Sequence, residues 1–209
     1  MKLDTSNLID KLDGKNIFVK IDEVLLPELE LGNNFAVIKN DLPFGYTINL
    51  TSGWNLISFP PFPADCSIPI LLGFIQGKYL SVWTFSDTDW KVYDPANPAS
   101  SDLTCLNPGI GYWINMSESE SLAISGTIPS KSITLKSGWN LVDLNSLTAV
   151  PIADALASIE GKYVAVWAYI DGIWKLYDPV NPGFSDLENM EPSRGYWIGA
   201  TEACTWTFP

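Results

Sequence analysis

Carboxylates and amides gathered in two matching loops are the first residues of this chain that could do chemistry. Asp94, Asn97 and Asp102 recur as Asp178, Asn181 and Asp186, and Asp87 is matched by Asp171. Oxygen ligands drawn from one loop are what calcium takes, so Asp94, Asp102, Asp178 and Asp186 are the calcium candidates. The spacing is not that of an EF-hand, and no bidentate glutamate closes the loop at a fixed offset. Asx turns and caps before proline are the competing role for the same residues. Paired carboxylates also serve glycoside hydrolysis when they stand about 5 or about 9 Å apart, and two copies of the pair would imply two sites. Histidine is absent from the chain. Serine triads, Cys–His dyads and zincin motifs as usually built are therefore excluded. The expectation is a protein that is not an enzyme and that takes no cofactor, calcium aside.

Three cysteines, Cys66, Cys105 and Cys204, are an odd count without CxxC spacing. Cys66 and Cys105 lie in the same sequence copy (defined below), and their counterparts in the other copy are not cysteine. They are either bridged or, like many lone thiols, small buried side chains.

The chain has 209 residues, 46% apolar and 12% aromatic with nine tryptophans, and only 17% charged. That is enough apolar side chain for one sizeable core or two small ones, and it excludes disordered, collagen-like and coiled-coil classes. Twenty-four acidic residues against twelve basic give a net charge of −12, which argues against a nucleic-acid partner. No basic segment followed by an apolar one marks a signal peptide in the first twenty residues, and no apolar run approaches the roughly 20 residues of a membrane helix. No membrane insertion is expected.

Internal repetition organises the rest. SGWNL occurs at 52–56 and 137–141, GKY at 77 and 161, WK.YDP.NP at 90 and 174, and GYWI at 111 and 195. From Gly77 to Ile114 the second copy follows without a gap, 84 residues later, and 21 of these 38 positions are identical. The period is far longer than that of a solenoid, so each copy is a subdomain-sized unit. Three regions follow: 1–46, reading as a short helix and strands that pack on the repeats, then 47–130 and 131–209, which stand as separate units or share one core. Each unit reads as about five short strands and one short helix, over 68–77 or 150–161, with a hairpin at 79–85/90–93 or 163–169/174–177. The fold class is α+β, predominantly antiparallel β.

The order GWNL, VW, WK.YDP, P-x-x-GYWI resembles a tandem repeat of large secreted and cell-surface proteins of archaea and some bacteria. The likeness covers about three quarters of the chain. Ser193–Arg194, where a glycine-rich turn is common, and the lack of proline after WNLVDL depart from it. The resemblance implies an extracellular or cell-surface setting and a non-catalytic role, and supplies no catalytic residue.

Eight tryptophans pair between the copies: Trp54, Trp83, Trp90 and Trp113 with Trp139, Trp167, Trp174 and Trp197. Retention in two units whose surfaces should differ points to packing, and burying a Trp is worth about 4–6 kcal/mol. Platforms for sugar rings are the alternative, with Trp90 and Trp174 beside the hairpin tip best placed. Trp206 falls on an inward face. The copies differ most at the hairpin, where Ala168, Tyr169, Ile170, Ile173 and Leu176 stand in place of Thr84, Phe85, Ser86, Asp89 and Val92, and Phe184 in place of Ser100. That apolar hairpin is either covered by another part of the chain, such as 1–46, or open for contact.

These readings combine into a recognition or adhesion module for a protein or glycan on another surface. Its ligand-contact candidates are Tyr169, Ile170, Ile173, Trp174, Leu176 and Phe184. Two alternatives stand beside it. One is a C-type-lectin-like variable ligand-binding protein diversified by a retroelement, with that fold in the C-terminal part. The other is an architectural repeat of a surface layer or fibre, for which self-association is expected.

Overall fold

The structure, a computed structural model, describes residues 44–209 except 61 and 87. The helix and strands expected over 1–43 lie outside the described residues, as does Asp87. What is described is mostly antiparallel sheet with a few short helices.

In the first half, strands β2 (Gly53–Ile57), β5 (Tyr112–Met116), β3 (Tyr79–Ser86) and β4 (Asp89–Tyr93) form a four-stranded sheet in that order. A ribbon of β1 (Phe44–Leu50) and β6 (Glu120–Gly126) accompanies it. In the second half, β8 (Gly138–Asp143), β13 (Gly195–Ala200), β10 (Tyr163–Ile170) and β11 (Ile173–Tyr177) take the same order, and β7 (Ser132–Leu135) pairs with β14 (Cys204–Thr207). Each half thus has six main strands where the patterning predicts about five, because the YWI of each GYWI segment also lies in a strand, β5 or β13. The hairpins fall where expected and extend by one residue at the tip, Ser86 opposing Asp89 and Ile170 opposing Ile173. Asp171 and Gly172 both take positive φ (51° and 84°), the type I′ geometry whose twist matches a tight hairpin.

The helices are shorter than expected. Only Ile68–Leu71 (α1) and Ile152–Leu156 (α2) are α-helical, each followed by a 3-10 turn. Pro69 occupies the first turn, where the missing N–H is harmless, and Gly73 follows too soon for a longer helix. The spacing of Ile68, Leu71, Leu72 and Ile75 still brings all four onto one buried face.

Each half has its own core. Val82, Tyr112, Ile114, Leu122 and Ile75 gather in the first, and Val166, Tyr196, Ile198, Trp206 and Ile159 in the second. Trp206 is fully buried as expected, and its indole N–H donates to the Ala155 carbonyl at 2.6 Å. The other eight tryptophans belong to neither core. They sit on the opposite faces of the two sheets, since β-strand side chains alternate and Val82, Thr84, Ile114, Val166, Ala168 and Ile198 fill the core side.

Those opposite faces meet. Ile57 bridges to Arg194 and Ile110 to Val142, and the Ser58 and Asp143 amides donate to the Ser193 and Gly109 carbonyls at 3.0 and 3.2 Å. At the centre Gly195 lies against Leu56 and Gly111 against Leu141. A Cβ on Gly195 would stand 2.9 Å from the Leu56 Cδ1 and 3.0 Å from the Ile57 carbonyl oxygen, and one on Gly111 would meet Leu141 and Val142 in the same way.

The open question over Cys66 and Cys105 closes on a disulfide, which clasps the start of α1 to the loop 103–106; Leu106 N–H also donates to the Cys66 carbonyl. Val150 and Asn189 hold the corresponding places in β9 (Val150–Pro151) and β12 (Asn189–Met190), which pair without a covalent link.

Two outcomes follow from this packing. Reducing the bridge, or replacing both cysteines with serine, removes a constraint across a 39-residue separation and should cost about 2–4 kcal/mol in urea unfolding. Gly195→Ala should cost about 1–3 kcal/mol by overpacking the junction; an unchanged unfolding midpoint would mean the halves separate freely.

Candidate functional site

The motif letters that repeat along the chain become legible once the faces are assigned. In SGWNL the glycine takes a positive φ, 89° at Gly53 and 98° at Gly138. The asparagine clamps that turn: Asn55 accepts from the Thr51 amide and donates to the Thr51 and Gly53 carbonyls, and Asn140 does the same with Lys136 and Gly138. The tryptophan between them is thereby fixed at the rim, and the leucine enters the inter-sheet junction. In GYWI the glycine forms the junction and the isoleucine enters the core. The tyrosine hydroxyl closes the preceding loop, accepting from the Asn107 or Glu191 amide at 2.5 Å. The tryptophan faces the opposing sheet.

Between the two sheets the aromatic side chains form two mutually packed triads. Phe85, Trp90 and Trp197 make one, with centroids 5.4 to 5.9 Å apart, and Tyr169, Trp174 and Trp113 make its positional counterpart at 5.2 to 5.7 Å. The rings meet edge to face or tilted, the arrangement their quadrupoles favour. Each triad draws one member from the opposite half of the chain, so the triads hold the halves together.

Around these triads lie two grooves. The larger, about 650 Å³, is lined by Phe85, Trp90, Trp139, Trp167, Trp174 and Trp197. The smaller, about 530 Å³, is lined by Tyr169, Trp174, Trp54, Trp83, Trp90 and Trp113. Residue for residue, each lining is the sequence counterpart of the other, and Trp90 and Trp174 stand in both. Trp54, Trp90, Trp139 and Trp174 remain 45–48% exposed, and the other four paired tryptophans are half-buried. The expectation that all eight serve the core is corrected here. They are shared between an inter-sheet contact and an open surface.

The larger groove has Gly199 beneath the Trp139 indole, where a Cβ would stand 3.1 Å from the ring carbons; Asn115 holds that position in the smaller one. The indole N–H of Trp83 donates to the Ser81 hydroxyl at 2.9 Å. Lys91 and Lys175 oppose Thr84 and Ala168 in the hairpin registers, so they project from the core-side faces, away from the grooves.

The contact residues expected at the second hairpin divide between two faces. Tyr169 and Trp174 line the grooves, and Leu176 shares their face opposite Trp167. Ile170 points to the other side and packs on the second core, with Ile173 beside it, 59% exposed. Phe184, 88% exposed on the turn Pro182–Phe184, stands apart from both grooves. Tyr169 and Ile170, adjacent in the strand, thus present apolar side chains on its two opposite faces.

The acidic loops are tied to their own backbone. Asp102 and Asp186 accept from the Val92 and Leu176 amides at 2.7 Å, and Asp94 and Asp178 accept from the Ala96 and Val180 amides at 2.8 Å. The Asn181 side chain, with the Val180 and Asn181 amides, holds the Asp178 carboxyl below its ordinary range; the Leu176 amide does so for Asp186. No group of three or more Cys, Asp or Glu residues placed to hold a metal occurs among the described residues. None of the four carboxylates lines a groove.

One ionisable group lies in the junction itself. Asp143, the counterpart of Ser58, is 1% exposed, and burial pushes its carboxyl up to about 7. The Ser58 hydroxyl and the Phe59 and Leu144 amides lie towards it and oppose that rise. None closes a hydrogen bond of normal geometry on either oxygen, since Ser58 gives its proton to the Arg194 carbonyl at 2.9 Å. The folded chain therefore binds a proton that the unfolded chain has released. The stabilisation is complete below the ordinary carboxylate range near pH 4 and is lost as pH rises towards 7.

Between pH 5 and pH 8 this group alone should lower stability by about 3 kcal/mol. Asp143→Asn should remove that slope and exceed the wild type at pH 8 in urea unfolding; parallel profiles would refute the assignment. Comparison of the chain with protein-family models, with curated proteins and with solved structures finds no match, so the grooves are interpreted from their own geometry.

Proposed function

We propose that the chain is a non-catalytic recognition module of a secreted or cell-surface protein, built from two equivalent units that face one another and receive a ligand in the aromatic grooves between them. The observation that carries this reading is the pair of grooves, lined entirely by aromatic rings, with four indoles left about half exposed. An aromatic patch of that extent is unusual on a surface that meets only water, and rigid rings bind with little loss of side-chain freedom. The lining offers no carboxylate pair for acid–base work. The Cys66–Cys105 disulfide supports an oxidising, extracellular setting, in line with the repeat family the motifs resemble.

The binding surface belongs to both halves, in contrast to one assigned to the second hairpin alone. Tyr169 and Trp174 keep their assigned role. Trp90 joins Trp174 as the shared wall, and the remaining paired tryptophans form the two linings.

The test is a titration of candidate surface proteins and oligosaccharides followed by tryptophan fluorescence, comparing wild type with Trp90→Ala/Trp174→Ala. The double variant should lose at least tenfold in affinity while its far-ultraviolet spectrum is unchanged. A ligand that binds both forms equally would place recognition elsewhere. Concentration-dependent sedimentation of the wild type that the variant lacks would favour the architectural reading, in which the grooves dock on a neighbouring unit.

A further inference from the structure

Resting on that reading, the chemistry of the lining narrows the ligand. Its polar side-chain atoms are the indole N–H groups and the Tyr169 hydroxyl, and one of those N–H groups, on Trp83, is already given to Ser81. A sugar brings several hydroxyls to each ring, and amide-rich peptide brings donors and acceptors at every residue. In grooves open to solvent either keeps most of those groups in water, so its fit to the rings is limited to its apolar faces. The group that gains most from such walls is compact, carries no N–H or O–H at its point of contact, and is drawn to ring faces.

A quaternary ammonium meets all three conditions. Its methyl groups pack as hydrocarbon, its nitrogen has no proton to satisfy, and its charge is drawn to the negative face of indole, the strongest aromatic partner for a cation. Charge complementarity points the same way. The chain carries −12 overall, which raises the local concentration of cations around it. The two lysines on the groove-bearing hairpins face away, and Arg194 is engaged by Asp171 and Glu191 at 3.6 and 3.7 Å, so these cations do not compete for the rings.

We propose that each aromatic groove binds a trimethylammonium group of the choline type, giving two sites per chain that share the Trp90–Trp174 wall. Trp139 and Trp54 are the rim rings of the larger and the smaller site. The negative surface favours a ligand without an adjoining anion, so choline should bind more tightly than its phosphate ester.

The experiment is calorimetric titration of the full chain with choline and tetramethylammonium chlorides, beside 3,3-dimethyl-1-butanol, which replaces the charged nitrogen with carbon and keeps the shape. Two equivalents of choline should bind, at least tenfold more tightly than the neutral isostere and more tightly than phosphocholine. Trp139→Leu, at a residue that is a member of neither triad, should remove one equivalent and leave the other. Equal binding of choline and the isostere would overturn the cation assignment and leave a merely apolar groove. Oligosaccharide binding that Trp90→Ala/Trp174→Ala abolishes, without any choline response, would overturn it while sparing the recognition reading. If neither choline nor any oligosaccharide or surface protein perturbs the tryptophans, both fail together.

Discussion

Two glycine–leucine contacts set the distance between the aromatic faces, and the site exists because of that distance. Gly195 lets Leu56 rest on the backbone of β13, and Gly111 lets Leu141 rest on the backbone just before β5. The junction between the halves is thus as thin as one side chain at its centre. Indoles cannot enter so narrow a space, so the rings gather around it in two triads and leave open grooves on their outer sides. Larger residues at the two glycines would hold the sheets further apart and dissolve the triads, because edge-to-face contact is lost over a few ångströms.

Stability and surface are divided between different faces of the same strands. Each sheet turns one face to a core that is complete without the paired tryptophans. The other face carries rings whose mutual contacts join the halves and whose remaining area meets solvent. The rings are buttressed from several sides: Asn55 and Asn140 fix the turns that carry Trp54 and Trp139, and the hairpin registers fix Trp90 and Trp174 opposite Phe85 and Tyr169. Walls held this way are formed before a ligand arrives, which keeps the entropic cost of binding low.

Much of the scaffold was legible in the sequence. The period-2 alternation located the hairpins and the buried Trp206, and the predominantly antiparallel class followed from the same patterning. The main misreading concerned the eight paired tryptophans. Retention in both copies means core only on the premise that two units in one chain present different surfaces. That premise fails when the units face each other, because a self-complementary contact uses the same residues on both sides. The motif glycines carried the missing signal: Gly111 and Gly195 stand at the entry to a strand, each before a Tyr-Trp pair, where glycine is costly unless another backbone or side chain comes close. The length of the first helix was overread for a simpler reason, since Pro69 and Gly73 leave room for a single turn.

The differences between the halves locate what the shared scaffold can vary. Thr84 gives its hydroxyl to the Gly111 carbonyl at 2.8 Å, whereas Ala168 offers nothing in its place. A disulfide replaces Val150 and Asn189, and a buried carboxyl replaces Ser58. These changes fall in the cores, the clasp and the junction backbone. Within the linings, by contrast, every ring has an aromatic counterpart, and the one change of type is Phe85 against Tyr169. The half-exposed indoles gain little stability from being indoles, since smaller apolar residues would cover the same junction with less surface left in water. Their pairing across both grooves is therefore better explained by a contact that needs ring faces on both sides of the junction than by the demands of folding.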